Sequence, residues 1–174
     1  MPNWNRKTVF VGTMLLALNV NAQDQGGDSE GTSKAQTEFM QALQPFCGKA
    51  FAAEIVEDSA PSPDWDHPLV VHIRDCEDAV IRMPLHVGED RSRTWVLTQE
   101  PDYIDFQHYH LHEDGSPDAV SPYGGQTNAA GSATLQAFPV DEASKALFLK
   151  EGLDVSVTNT WTIEFPDAQT IPKA

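Results

Sequence analysis

The sequence predicts a mainly β domain of about seven or eight short antiparallel strands and two short helices. Apolar and polar residues alternate in many short segments, as they do in strands with one buried face. Clusters of Gly, Pro, Asp and Ser separate these segments at regular intervals. Because the chain has 174 residues, we expect residues 35–174 to form a single domain.

The strands are predicted from a two-residue period, which is clearest in the last segment, where Val, Trp, Ile and Phe alternate with Ser and Thr. Pro84 lies inside one segment and indicates a sheet edge or a bulge. Gly124 and Gly125 are interpreted as the end of another. The segments are 51–57, 69–74, 80–87, 91–98, 101–112, 119–123, 132–138 and 155–165.

Two segments favour helices instead. Apolar residues recur every three or four positions over residues 35–46, before Gly48. Asp141 is a suitable N-cap for a second helix that runs to Glu151, with Gly152 as its C-cap. The apolar residues expected to be buried are Phe39, Met40, Leu43 and Phe46 in the first helix, and Ala146, Leu147 and Leu149 in the second.

Strands that follow one another through tight turns favour an up-and-down, lipocalin-like barrel, with a jelly-roll sandwich as the alternative. A barrel of about eight strands is just wide enough to fill its interior or to hold one small ligand.

The first 22 residues have the pattern of a signal peptide. Arg6 and Lys7 precede a short apolar run, and a small residue, Ala22, marks the expected cleavage site. Residues 23–34 are polar and are expected to be a disordered lead-in. We therefore predict a periplasmic or secreted protein, with no membrane insertion after cleavage.

Charge and cysteine content fit that location. Removing the leader leaves 26 acidic and nine basic residues, a formal net charge of −17, which disfavours nucleic-acid binding. Cys47 and Cys76 are the only cysteines, and in an exported chain an even number predicts a disulfide. A free thiol pair or two metal ligands are the alternatives.

His108, His110 and His112 alternate along one predicted strand and therefore share a face. Two adjacent imidazoles in this arrangement can bind one transition metal ion such as zinc. The predicted ligands are His108, His110 and His86, and the other candidates for the third position are His72, Glu113 and Asp114. Solvated histidines or a polar core network are the alternative, because a strongly negative protein favours protonated imidazole, which binds no metal.

Arg91, Arg93 and Trp95 are also expected to share a strand face. Together with Tyr123, they are the predicted binding residues for a small-molecule ligand, because guanidinium groups bind carboxylates and phosphates well. The alternative is that the arginines pair with acidic residues, namely Glu89, Asp90 or Asp105.

Several segments resemble a family of uncharacterised secreted proteins of Gram-negative bacteria. The resemblance covers about residues 43–165 and implies a periplasmic or secreted location but no activity. It also implies a further Arg- and Phe-rich strand after Trp161, which residues 166–174 do not contain. Without that strand to close the barrel, the sheet would keep an edge that must be covered or paired. The segments are 46–51 (FCGKAF), 86–95 (HVGEDRSRTW), 112–116 (HEDGS), 123–125 (YGG), 138–139 and 159–161.

No residue is predicted to be catalytic, because the sequence contains no nucleophile elbow, zinc-protease or phosphate-loop motif. The leading hypothesis is a non-enzymatic envelope protein that binds a small ligand in its β-barrel. A metalloprotein with hydrolase activity and a structural or interaction module are the alternatives.

Overall fold

The structure, a computed structural model, describes residues 9–10, 33–55 and 66–165. None of the helices in these ranges is long and apolar enough to cross a membrane. The helices are α1 (Lys34–Leu43) and α2 (Glu142–Lys150), and two 3-10 turns cover Gln44–Phe46 and Asp154–Thr158. The strands are β1 (Val9–Phe10), β2 (Lys49–Ile55), β3 (Leu69–Ile73), β4 (Asp75–Cys76), β5 (Val80–Val87), β6 (Asp90–Gln99), β7 (Ile104–His110), β8 (Tyr123–Gln126), β9 (Leu135–Pro139) and β10 (Thr160–Glu164).

The main sheet has the antiparallel, mainly up-and-down order that the sequence predicts. Its order is β1-β2-β3-β5-β6-β7-β8, and β4 pairs with β5 beside β3. Strands β9 and β10 pair with each other in a second sheet, and the bridge between Gly125 and Val140 joins the two sheets. In the described part of the chain, the sheet is open and is not closed into the predicted barrel.

The core lies on the inner face of the main sheet, under α1. Leu69, Val71 and Ile73 of β3 are buried, as predicted. Helix α1 packs Phe39, Met40 and Leu43 against this face. The ring of Phe39 is fully buried, and its centroid lies 5.2 Å from that of Phe165. The inward residues of β5 are Ile81, Met83, Leu85 and Val87, also as predicted.

Pro84 lies at a bulge in the middle of the sheet, one of the two predicted positions. Val71 pairs with Leu85, whereas Asp75 pairs with Arg82, so five residues, 71–75, lie opposite four, 82–85. Pro84 lies within the shorter stretch, where a residue without an N–H can be accommodated in a central strand.

The interpretation of Gly124 and Gly125 as a strand end is wrong, because both lie within β8. A Cβ at Gly124 would come within 1.8 Å of the carbonyl oxygen of Phe106. At Gly125 it would come within 2.1 Å of the carbonyl oxygen of Pro139. Here glycine allows neighbouring backbones to approach closely, which sequence-based turn signals do not reveal.

The prediction of a continuous strand over residues 155–165 is also wrong. Asp154–Thr158 is a 3-10 turn, and only Thr160–Glu164 pairs with β9. The amide of Leu153 donates to the Phe148 carbonyl at 2.7 Å, which turns the chain back from α2. This return from the helix overrides the β propensity of the valines in this segment.

Both helices begin with the capping that their sequences favour. Ser33 caps α1 in a capping box with Gln36, so the predicted lead-in ends before Ser33. Asp141 caps α2 as predicted, by accepting a hydrogen bond from the amide of Ser144. The buried face of α2 differs from expectation, because Phe148 is buried whereas Leu149 is 56% exposed.

Cys47 and Cys76 form the predicted disulfide, with 29 residues of sequence separation. The bond connects the end of the α1 region to β4. Of the predicted leader, only Val9–Phe10 is described, and it pairs with Ile55 and Glu54 of β2. The rest of the leader, the lead-in before Ser33 and residues 166–174 lie outside the described residues.

Candidate functional site

The candidate site lies where polar side chains replace apolar ones on the inner face of β6, β7 and β8. Strand register places Trp95 opposite His108, and His108 opposite Tyr123. Side chains at such positions contact each other across a sheet. One row nearer the strand end, Arg93 lies opposite His110. We call these five residues the polar end of the inner face.

The row of Trp95, His108 and Tyr123 is covered by other parts of the fold. His108 and Tyr123 are 4% and 5% exposed, and their ring centroids lie 4.7 Å apart. The Tyr123 ring also contacts Phe148 of α2 and Trp161 of β10, at centroid distances of 5.3 and 5.8 Å. Burial raises the pKa of the Tyr123 phenol, so this group is a neutral hydrogen-bonding group at physiological pH.

The outer row is more accessible and charged. The side chain of Arg93 is 16% exposed, and its guanidinium donates to the carboxylate of Asp90. The amide of Ser92 donates to the same carboxylate at 2.8 Å. Burial alone would raise the pKa of Asp90. The hydrogen bonds from Ser92 and Arg93, together with the positive charge of Arg93, outweigh this effect and lower the pKa. Arg93 therefore pairs with an acid, which is one of the alternatives the sequence left open.

The local environment of His110 affects the pKa of this imidazole more strongly than the net charge of the protein does. Partial burial lowers the pKa of His110, and the positive charge of Arg93 lowers it further, against the opposing effect of Asp118. The expectation that overall negative charge favours protonation is therefore wrong for this imidazole. Nearby groups act strongly, whereas distant surface charges are screened by solvent and salt.

His112 lies beyond the end of β7, and its side chain is 54% exposed. It faces Asp118 across the turn at residues 113–116. The Nε2 atom of His112 lies 4.0 Å from Oδ2 of Asp118, and Nδ1 of His110 lies 3.9 Å from the same oxygen. The sequence did not predict Asp118 as a site residue. The path of the turn determines which acidic residue lies next to the histidines, and the sequence does not show that path.

The structure brings together only some of the predicted site residues. Arg93, Trp95 and Tyr123 lie with His108 and His110 at the polar end. Arg91 is exposed and donates to the carbonyl oxygens of Gly88 and Asp90, at 2.5 and 3.2 Å.

His86 is not brought to the histidines of β7. It lies between the buried, inward Leu85 and Val87 and therefore points to the outer face of the sheet. Burial, followed by the charge of Arg91, lowers the pKa of His86. Among the described residues, no group of three His, Cys, Asp or Glu side chains is placed so that it could hold a metal ion.

The fold and the site define a disulfide-bonded, mainly antiparallel β domain with a polar cluster at one end of its inner face. No family model, curated protein or solved structure matches the chain. Assignment of function therefore depends on the chemistry of the polar end, and the resemblance to secreted proteins remains a prediction.

Proposed function

We propose that this chain is an exported, non-enzymatic protein that binds a small ligand at the polar end of its main β-sheet. The observation that carries the proposal is the change of character along one inner face. Over β3 and β5 this face is apolar, whereas over β6–β8 it carries an arginine, two histidines and a tyrosine. Polar groups on an inward face cost free energy, so their concentration at one end favours a functional role.

The chemistry of this end favours a flat, apolar ligand with an anionic group. Trp95 and Trp161 are only partly buried, so their rings offer surface for stacking. Arg93 lies two residues from Trp95 on the same face of β6, and its planar guanidinium binds carboxylate, sulfonate or phosphate oxygens well. Arg93 exchanges its bond to Asp90 for a bond to the ligand, because Asp90 is partly exposed and can be hydrated.

Anilinonaphthalene sulfonate is a suitable probe, because it combines a flat aromatic body with one negative charge. We expect saturable, one-to-one fluorescence enhancement with the folded protein. Arg93→Gln should raise the dissociation constant roughly tenfold or more, because a charge-assisted hydrogen bond to the probe is lost.

Arg74→Gln is the matched control, because Arg74 also pairs with a neighbouring acid, Asp75, but lies away from the polar end. Its affinity for the probe should equal that of the wild type. Thermal unfolding of each variant verifies that the probe reports a folded site. Equal weakening in both variants, or no saturable binding by the folded protein, would contradict the proposal.

Export is supported by the Cys47–Cys76 disulfide, since such bonds persist in oxidising compartments. Expression with the native leader should give a chain that begins at Gln23 and contains an oxidised cysteine pair. The intact mass of the exported protein measures both features. An uncleaved chain that remains in the cytoplasm would rule out export.

A further inference from the structure

We propose that the edge of β2 that faces away from β3 binds an extended apolar peptide segment of another protein by β-sheet pairing. We call this edge of β2 the acceptor edge. It lies at the opposite side of the main sheet from β8, so the site is separate from the polar end. Addition of a strand to an open sheet edge is a recurring mode of peptide recognition, in which main-chain hydrogen bonds supply affinity.

The acceptor edge borders a gap between the two sheets. On the far side of the main sheet, the bridge between Gly125 and Val140 joins β8 to the end of β9. On the near side, β1 pairs with β2, and its Cα atoms also come within 8 Å of those of β10. The short strand β1 therefore occupies the position at which a longer strand would connect β2 with β10.

Within the described residues, β1 covers only one end of the acceptor edge. Val9 lies opposite Ile55, and Phe10 lies opposite Glu54, in antiparallel pairing. Residues 49–53 pair with β3, and no other described strand pairs with them on the acceptor edge. Because the open side of a strand presents N–H and C=O groups that can pair, most of β2 can bind a longer segment in the same direction as β1.

The side chains beside the gap favour an apolar occupant. Phe51 and Ala53 of β2 and Ile163 of β10 pack against the core, yet all three are only partly buried. In the central strands, by contrast, Ile81 and Leu97 are completely buried. A strand in the gap with apolar residues on its inner face would bury the remaining exposed surface, which is favourable.

The leader indicates which kind of segment the acceptor edge binds. Val9 and Phe10 belong to the apolar run of the predicted signal peptide, and they pair with β2 as an extended strand. Cleavage after Ala22 removes this strand, so the exported chain presents the edge uncovered; this step rests on the proposed export. An apolar peptide in trans would replace the leader at the same position.

A synthetic peptide of residues 5–14 (NRKTVFVGTM), which contains the β1 residues, tests the site in trans. We expect saturable, one-to-one binding to the exported chain, which begins at Gln23, measured by fluorescence anisotropy of the labelled peptide. Hydrogen exchange should show new protection of the β2 amides that do not bond to β3, and no change in β6. The uncleaved chain should bind the peptide about tenfold more weakly or worse, because its own leader competes at a high effective concentration.

The matched control is the same peptide with Val9→Pro and Phe10→Pro. It remains apolar but lacks the N–H groups that pairing requires, so it should not bind. Equal binding of both peptides, or binding without protection of β2, would overturn the site. An exported chain that forms dimers and binds no peptide would assign the edge to a second copy and would also reject the proposal, as would a leader that is never cleaved.

Circular dichroism checks that the exported chain is folded. If loss of the leader unfolds the chain, the peptide should restore the β-sheet signal and the proline peptide should not; absence of recovery would contradict the site. Ligand binding at the polar end is measured by the dye and Arg93→Gln, and strand binding is measured by the peptides. Failure of either measurement therefore leaves the other proposal standing.

Discussion

The two ends of the inner face have different compositions, although the same sheet forms both. On β3 and β5, alternate residues are aliphatic or sulfur-containing and pack under α1. On β6–β8, the equivalent positions near the strand ends carry Arg93, His108, His110 and Tyr123. The apolar end supplies burial, which is the main source of stability. The polar end adds groups that folding alone does not require.

This difference shows that inward orientation and apolar character need not coincide. The row of Leu97 and Phe106 is still fully apolar and buried. The next row contains Trp95 and His108, and the row after it contains Arg93. Polarity therefore increases stepwise toward the sheet end, as expected for the opening of a binding site.

The largest effect is expected from a cavity at the apolar end. Phe39→Ala should lower the free energy of unfolding by about 3–5 kcal/mol, because Phe39 is fully buried and contacts Phe165. Urea denaturation monitored by circular dichroism measures the loss. Leu149→Ala is the control and should change stability by less than about 0.5 kcal/mol, since Leu149 is 56% exposed. Similar losses in both variants would show that α1 does not cover the core.

A loss of stability of intermediate size is expected from a substitution in β8, and it should affect the polar end more than the apolar end. Gly124→Ala places a Cβ 1.8 Å from the Phe106 carbonyl oxygen and 2.9 Å from the Gln107 Cα. We expect a loss of about 1–3 kcal/mol from overpacking. Because backbone atoms cannot rotate away, β8 must move from β7.

Hydrogen exchange should localise this damage. In Gly124→Ala, amides of β8 should lose protection while those of β3 and β5 retain it. Gly152→Ala is the control, since a Cβ there meets nothing within 4 Å and only a positive φ of 72° opposes it. Uniform loss of protection over the whole sheet would show that the two ends unfold as one unit.

The sequence predicted most accurately those elements whose own residues determine them. Strands β3 and β5 have one buried face, so their two-residue period is visible in the chain. Helix α2 was located by the cap at Asp141. The disulfide followed from the number of cysteines and the leader pattern.

Elements that depend on distant neighbours were not predictable. Gly124 and Gly125 resemble turn residues until the backbones of β7 and β9 are placed beside them. Residues 154–158 favour a strand locally, but the return from α2 imposes a 3-10 turn. Asp118 joins the two histidines only through the path of an intervening turn, so no fixed sequence spacing indicated it.

The smallest effect on the free energy of unfolding is expected at Asp90, the acidic partner of Arg93 at the polar end. Asp90 has a lowered pKa in the folded protein, so its native carboxylate binds a proton less readily than the unfolded one. It therefore stabilises the fold above the unfolded pKa of about 3.9, and this contribution is lost as the pH falls through the lower native value.

Asp90→Asn should accordingly cost less than about 1 kcal/mol at neutral pH, because the pair with Arg93 is partly exposed. The difference from the wild type should shrink as the pH is lowered below 4, since both chains then carry an uncharged side chain at this position. Thermal unfolding from acid to neutral pH measures the difference, with the exposed Asp102→Asn as control. A loss comparable to that of Phe39→Ala would mean that the polar end is a structural part of the core, and the distinction between the two ends would fail.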